Sequence, residues 1–507
     1  MSANLFRRRG LPAAGVLALL TTSLAFVASP ARAAPVTVSI LGTNDFHGRL
    51  LSDRDIPGAA KYAGAVEQLR SENPSTLFAA AGDLIGATTF ESFINQDKPT
   101  IDVLNEMQLD VSAVGNHELD KGYDDLVGRV MAPESDSNPK GGAEWQYTAA
   151  NLDEPGDADL IPPSYTRDVA GVTVGFVGAV TEDLPSLVSP DGIEGLTVTD
   201  IVESTNAEAD RLVAEDGADV VVLLVHEGAP GTSCATMADP GTAFGEIVTG
   251  VDADIDAIIS GHTHLAYDCT LPKPGGAGTR PVVSAGQYGA FLNKLDFTVD
   301  GVTGEVAGVE QSLLDVNTGA YPQDPEVQAI VDRAKADAEG PGSAVLGTID
   351  APFKRAQRPS PTETDPGAVS ENRGAESTLG NEVAEVQRWA TGSQIAFMNP
   401  GGLRADMVGV QDADPSTADT FPTDLTYKQA AVVQPFANTL VSMDMTGAQI
   451  ETLLEQQWQP AGSSRPFLKL GVSDGCHYTY DPDAAPGQRV GRIVLDGGSS
   501  SPRRPTR

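Results

Sequence analysis

The sequence predicts a layered α/β protein carrying a second, smaller α/β unit in its C-terminal part. Three observations predict it. Apolar, β-branched runs alternate with helix-like stretches through the first half of the chain, the pattern of a sheet buried on both faces. Five of the six histidines stand at or just past the end of such runs, where open α/β sheets place their chemistry. A polar helical stretch, Asp324 to Glu339, bounded by Pro322 and Gly340-Pro341-Gly342, then separates this region from the rest. At 507 residues two domains are the natural division.

The elements follow in order. Val36 to Gly42 reads as a strand leading into Asp45 and His47. Thr76 to Gly82 leads to Asp83, and Val111 to Gly115 leads to Asn116 and His117. Val172 to Val180 is a strand with no chemical group at its end. Val220 to Val225 ends at His226, Ile255 to Ser260 leads to His262 and His264, and Pro281 to Ala285 is a further strand. Helices are expected at Ala59 to Glu72 and Ile201 to Glu215. Residues 356–368, rich in Pro and Ser, read as a surface loop. The divisions are 34–322 for the first domain, 323–342 for a linker helix, 343–496 for the second domain and 497–507 for a disordered tail.

Residues 1–33 have the grammar of a secretory signal. Arg7, Arg8 and Arg9 precede an apolar core from Leu11 to Val27, and Ala31-Arg32-Ala33 offers a cleavage site. A secreted or wall-associated protein with no membrane span after signal removal is expected. The net charge of −37 argues against binding a nucleic-acid polymer, which needs a basic footprint. An anionic substrate then needs a local source of positive charge. Cys234 and Cys269 flank the His226 and His262 loops and can pair in an exported chain, leaving Cys476 over; sequence leaves the connectivity open.

The histidines sit among oxygen donors: Asp45 and His47 in Thr43-Asn44-Asp45-Phe46-His47, then Asp83, then Asn116 in Gly115-Asn116-His117-Glu118-Leu119-Asp120, then His226, then His262 and His264. Imidazole nitrogen with carboxylate and amide oxygen suits two divalent ions such as Zn²⁺ or Mn²⁺. Asp83 is placed to bridge, and His226 and His262 to complete one ion. His264 returns to the ion held by Asp45 and His47. His117 directly follows a candidate ligand, so it is read as a catalytic group that points to substrate, with Asp120 orienting it.

The order Asp-x-His, Gly-Asp, Gly-Asn-His-Glu, His, Gly-His-x-His resembles the calcineurin-like metallophosphoesterases. The wording Thr-Asn-Asp-Phe-His-Gly and Gly-Asn-His-Glu-Leu-Asp narrows the resemblance to the secreted 5′-nucleotidase, 2′,3′-cyclic phosphodiesterase and UDP-sugar hydrolase family. It implies a four-layer αββα sandwich followed by a nucleotide-binding domain, and a monomer that removes phosphate from nucleotides by attack of metal-activated water. A cyclic phosphodiesterase or UDP-sugar hydrolase is the alternative within that class. The family's second signature is matched by Arg373 in Arg373-Gly374-Ala375-Glu376-Ser377-Thr378-Leu379-Gly380-Asn381 and by Asn399, Gly401, Gly402 and Arg404 in Asn399-Pro400-Gly401-Gly402-Leu403-Arg404. Pro435-Phe436-Ala437-Asn438-Thr439 resembles its aromatic wall, with Phe436 stacking on the base. The family's second stacking aromatic has no counterpart before the basic tail. The resemblance thus implies an incomplete C-terminal domain and raises a different-class alternative, a catalytically impaired surface binding protein.

Overall fold

Strands whose sequence is apolar at consecutive positions must be covered on both faces, and these are. The computed structural model describes residues 35–495, apart from 157, 159, 362–368, 411–419, 436–437, 461–462 and 464. The expected signal sequence 1–33, the expected tail 497–507 and Phe436 therefore lie outside the described residues.

Two six-stranded mixed sheets face each other. The first runs, in spatial order, Val306–Asp315, Phe291–Val299, Val36–Thr43, Thr76–Ala80, Val111–Ala113 and Gln146–Thr148. The second runs Ala266–Pro272, Thr279–Ala285, Ala257–Ser260, Val220–His226, Val172–Val180 and Ser164–Val169. Val36–Thr43, Thr76–Ala80 and Val111–Ala113 pair in parallel, as do Val172–Val180, Val220–His226 and Ala257–Ser260. Their C-terminal ends therefore open on a common rim.

Three apolar layers hold this sandwich. Val38, Ile40, Leu77, Phe176, Val222 and Ile259 interdigitate between the two sheets. Truncating the fully buried Phe176 to Ala would cost about 3–5 kcal/mol. Helices Ala59–Glu72 and Lys98–Glu106 cover the outer face of the first sheet through Tyr62, Val66, Ile101 and Leu104. Helices Ile201–Arg211 and Ala243–Gly250 cover the second through Ala209, Phe244 and Ile247. The order is helix, sheet, sheet, helix, the expected four layers. Cys234 and Cys269 form a disulfide with Cα atoms 5.5 Å apart, and Cys476 is buried and unpaired.

The expected polar linker helix is less polar than its sequence suggested. It spans Pro325–Gly342, capped by Asp324, whose carboxylate accepts from the Val327 N–H at 2.8 Å. Val327, Val331, Ala334 and Ala338 form a buried stripe at helical spacing, and the first three join the core beneath Ala59–Glu72. The helix is therefore docked on the first sandwich along its length rather than spanning open space.

The described residues of 345–495 contribute four two-stranded pieces around helix Thr378–Thr391. Ser377 caps that helix by accepting from the Gly380 N–H, and Gly392 ends it at φ +69°. Of the segment read as a surface loop at 356–368, Gln357–Pro359 instead forms an antiparallel pair with Val369–Glu371, and 362–368 lie outside the described residues. The core here is small: Leu379, Ala384, Met398, Leu403 and Val433. Among the described residues no helix is long and apolar enough to cross a membrane.

Candidate dinuclear metal centre

Each parallel strand must turn away sharply at its C-terminal end, and side chains on these turns are forced into unusual backbone. Asp45, His47, Asp83, His262 and His264 all have positive φ, between +47° and +71°. Left-handed backbone costs a non-glycine residue about 1 kcal/mol or more. Five such residues within one set of loops mark stored strain along this rim.

The turns bring together residues from five strands. Asp45, His47 and His264 form one cluster, and Asp83, His226 and His262 a second; within each, the potential donor atoms lie within 4.8 Å of one another. In the first, His264 Nε2 is 3.2 Å from Asp45 Oδ1 and 3.3 Å from His47 Nε2. In the second, His226 Nε2 is 3.0 Å from Asp83 Oδ2. The same Asp83 oxygen is 3.7 Å from His47 Nε2, so it lies between the clusters. Asn116 Oδ1 is 3.1 Å from His226 Nε2 and 3.0 Å from His262 Nδ1, on the side of the second cluster. His117 stands beside them. Its Nδ1 is 2.9 and 3.0 Å from the two Asp120 oxygens, and its backbone N–H donates to Asp83 Oδ1 at 2.9 Å.

Burial and the paired carboxylates set the charges. Burial pulls the His47 imidazole down to about 3 against the pull of Asp83, so the ring is neutral, as a metal ligand must be. Burial and the nearby His226 lower His262 too. Burial also opposes charge on His226, but Asp83 and Asp45 outweigh it and push it up to about 10. Asp83 lies well below the ordinary carboxylate range, because His226 and His117 overcome the penalty of its burial. Two buried carboxylates in this ring of imidazoles demand positive charge, and a proton on His226 competes with a metal for the same lone pair.

Further residues hold the donors in place. Asn44 donates from Nδ2 to Asp45 Oδ2 at 2.6 Å and to the Gly286 carbonyl at 2.7 Å, and its Oδ1 accepts from Ala285 N–H at 2.7 Å. This ties the Asp45 turn to a loop of the other sheet. His47 Nδ1 donates to the Gly86 carbonyl at 2.9 Å and His226 Nδ1 to that of Ala81 at 2.7 Å, leaving Nε2 of each for the site. A Cβ on Gly115 would stand 2.3 Å from Asp83 Oδ1, so only glycine lets the two loops approach.

In the C-terminal part, Arg373, Asn399 and Gly401 line a cleft of about 410 Å³ together with Gln456, Gln457 and Arg465. Gly402 packs beside this lining, where a Cβ would meet the Met398 methyl at 2.4 Å. Arg404 points elsewhere: its Nη2 donates to the Tyr288 hydroxyl at 3.1 Å, across to the sandwich.

The calcineurin-like phosphoesterase family matches residues 38–266, and the 5′-nucleotidase C-terminal domain matches residues 347–502. The chain belongs to the family that joins these two domains. It is 26% identical over 510 residues to the cell wall protein Lmo0130 of Listeria monocytogenes, covering 92% of this chain and 61% of that protein. It is 25% identical over 447 residues to a 5′-nucleotidase of Vibrio vulnificus, covering 82% of this chain and 74% of the relative. The crystal structure of a 5′-nucleotidase precursor from Thermus thermophilus superposes with a TM-score of 0.65 at 22% identity, over 91% of this chain and 85% of that one. That likeness is one of fold.

Within this family member, three more residues of the site, besides Asn44, escaped the sequence reading. Glu118 is buried and accepts from the backbone N–H groups of Asp83, Leu84 and Gly115 at 2.7–2.8 Å. Burial, reinforced by Asp83, pushes it up to about 7. Tyr288 packs its ring 5.9 Å from that of His47 and 5.6 Å from that of His264. Arg49 lays its guanidinium 3.9 Å over the Tyr288 ring. A charged residue within the Gly-Asn-His-Glu motif was the available signal for Glu118, and one directly after Asn-Asp-Phe-His-Gly the signal for Arg49. Tyr288 offered none.

Proposed function

We propose that this chain is an exported phosphohydrolase that removes phosphate from nucleotides. Asp83, held between two His-carboxylate clusters on one strand-end rim, is the observation that carries this reading. Asp45, His47 and His264 would hold one divalent ion; Asp83, His226, His262 and Asn116 would hold the second, with Asp83 shared. The donor set fits Zn²⁺, Mn²⁺ or a similar ion. Such ions, when bound, polarise a phosphoryl oxygen and lower the pKa of water at the site.

The chain's own residues supply the rest. Asp120 fixes the His117 imidazole, which is the group to stabilise charge on the phosphoryl oxygens or to give a proton to the departing oxygen. The strained turns hold the donors before substrate arrives, so little reorganisation remains to be done at reaction. The nucleoside would rest in the cleft of Arg373, Asn399 and Gly401, where two adjacent glycines let backbone approach the ligand. The parts are read as 34–322 for the metal domain, 323–342 for the connecting helix and 343–496 for the substrate domain. Export is supported by the charged-then-apolar segment at 7–27 and by the Cys234–Cys269 disulfide.

The test is phosphate release from AMP by purified protein, stripped with chelator and then titrated with Mn²⁺ or Zn²⁺. Activity that vanishes on stripping and returns with metal supports the reading. Metal uptake without cleavage of AMP or any other nucleotide ends it in favour of a binding protein.

A further inference from the structure

Tyr288 is an unexpected residue at its position. It is a bulky aromatic with φ +62°, in the left-handed region, followed by Gly289 at φ +69°. Backbone strain of that kind persists only where the surroundings over-determine it. Here they do. The Tyr288 N–H donates to the carbonyl of Asp45 at 2.8 Å, fixing the residue to the first cluster's own turn. Its ring meets the His47 and His264 rings edge-on, at interplanar angles of 69° and 71°. The Arg49 guanidinium covers its face. Its hydroxyl accepts from Arg404 Nη2, a residue 116 positions away in the other domain. One side chain thus touches both imidazoles of a cluster and an arginine beside the Asn399-Pro400-Gly401-Gly402 turn.

A second contact between the two parts lies by the connecting helix and differs in character. Lys428 pairs with the buried Glu91, Tyr427 packs edge-on against Phe90 at 5.7 Å, and the Tyr427 N–H donates to the Ala344 carbonyl. These hold the end of the helix, whereas the Tyr288–Arg404 bond lies at the rim of the metal cluster.

We propose that Tyr288 is a positioning residue for nucleotide turnover, its hydroxyl holding the Arg404 guanidinium at the rim of the Asp45–His47–His264 cluster. The inference rests on the phosphohydrolase reading above. A guanidinium kept there is presented to the anionic part of a nucleotide with its orientation already set, so less ordering is required when the ligand binds. A tyrosine suits the task because a neutral hydroxyl orients the guanidinium without cancelling its charge, as a carboxylate would.

Tyr288→Phe keeps the ring and removes the acceptor. For AMP, KM is expected to rise about tenfold, the scale of a hydrogen bond to a charged group, with kcat within about twofold of wild type. p-Nitrophenyl phosphate carries the same anionic group, so its KM should rise by a similar factor. Arg404→Ala should raise KM for AMP, and the double variant should be no worse than Arg404→Ala alone. A readout independent of turnover is hydrogen exchange in chelator-treated protein: exchange across 399–407 should increase alike in Tyr288→Phe and Arg404→Ala, with no further increase in the double variant. An unchanged KM for AMP in Tyr288→Phe, a loss in kcat rather than in KM, or effects that multiply in the double variant, overturn the proposal. If wild-type protein cleaves p-nitrophenyl phosphate and no nucleotide, the nucleotide reading fails instead, and the exchange cycle alone decides whether Tyr288 holds Arg404.

Discussion

The Glu118 carboxylate accepts a hydrogen bond from the backbone N–H of Asp83 at 2.8 Å, and so fixes the loop whose side chain lies between the two clusters. The same carboxylate accepts from the Leu84 and Gly115 N–H groups. Glu118→Gln replaces one acceptor by a donor that faces N–H groups. A stability loss of about 2–3 kcal/mol is expected, because buried donors lose their acceptor. Metal affinity should fall with it, since the Asp83 loop is released. Thermal denaturation and metal titration check both; a variant with wild-type melting and wild-type affinity would contradict the role.

His117 tests the division between ligands and catalytic groups. His117→Ala should retain the metal content of the wild type and lose about 10²–10⁴-fold in turnover, the usual scale for a positioned acid or base. Loss of bound metal would instead make His117 a ligand. Asp120→Asn keeps the shape of the pair but removes its charge, and a smaller loss in kcat is expected, measured with the same substrate.

Gly64 gives a sign opposite to helix propensity. It lies within helix Ala59–Glu72, where alanine ordinarily stabilises by about 1 kcal/mol. A Cβ there would stand 2.0 Å from the Pro322 carbonyl oxygen, a backbone atom leading into the connecting helix. Gly64→Ala is therefore expected to destabilise by about 1–3 kcal/mol. A raised melting temperature would show that the helix is not seated against this segment.

The Cys234–Cys269 bridge closes a loop of 35 positions that begins beyond the turn after His226 and carries the histidines at 262 and 264. The double Cys→Ser variant should be about 2–4 kcal/mol less stable under oxidising conditions. Reduction of the wild type should reproduce the loss, and should leave the double variant unchanged.

Much of the site was legible because its chemistry is local. Each donor follows an apolar run within a few positions, so strand ends could be read and their groups gathered on one rim, as for Asp45, Asp83 and His226. The supporting residues were illegible because their partners are remote. Asn44 bonds Gly286 across 242 positions, and Tyr288 touches His47 and Arg404 from opposite directions in the chain. The helix Pro325–Gly342 read as polar because two of the four residues in its buried stripe are alanine, which marks a packed face poorly in sequence. Arg404 carries the chemistry expected of an anion-binding residue, but nothing local could tell that it faces the sandwich rather than the cleft that holds Arg373.

The most direct test is the metal stoichiometry of purified protein after dialysis against Mn²⁺ or Zn²⁺, compared with Asp83→Ala. Two equivalents per chain in the wild type, and fewer in a folded Asp83→Ala variant, is the predicted result. Fewer than one equivalent in the wild type, or two retained without Asp83, would contradict a paired centre built around that carboxylate.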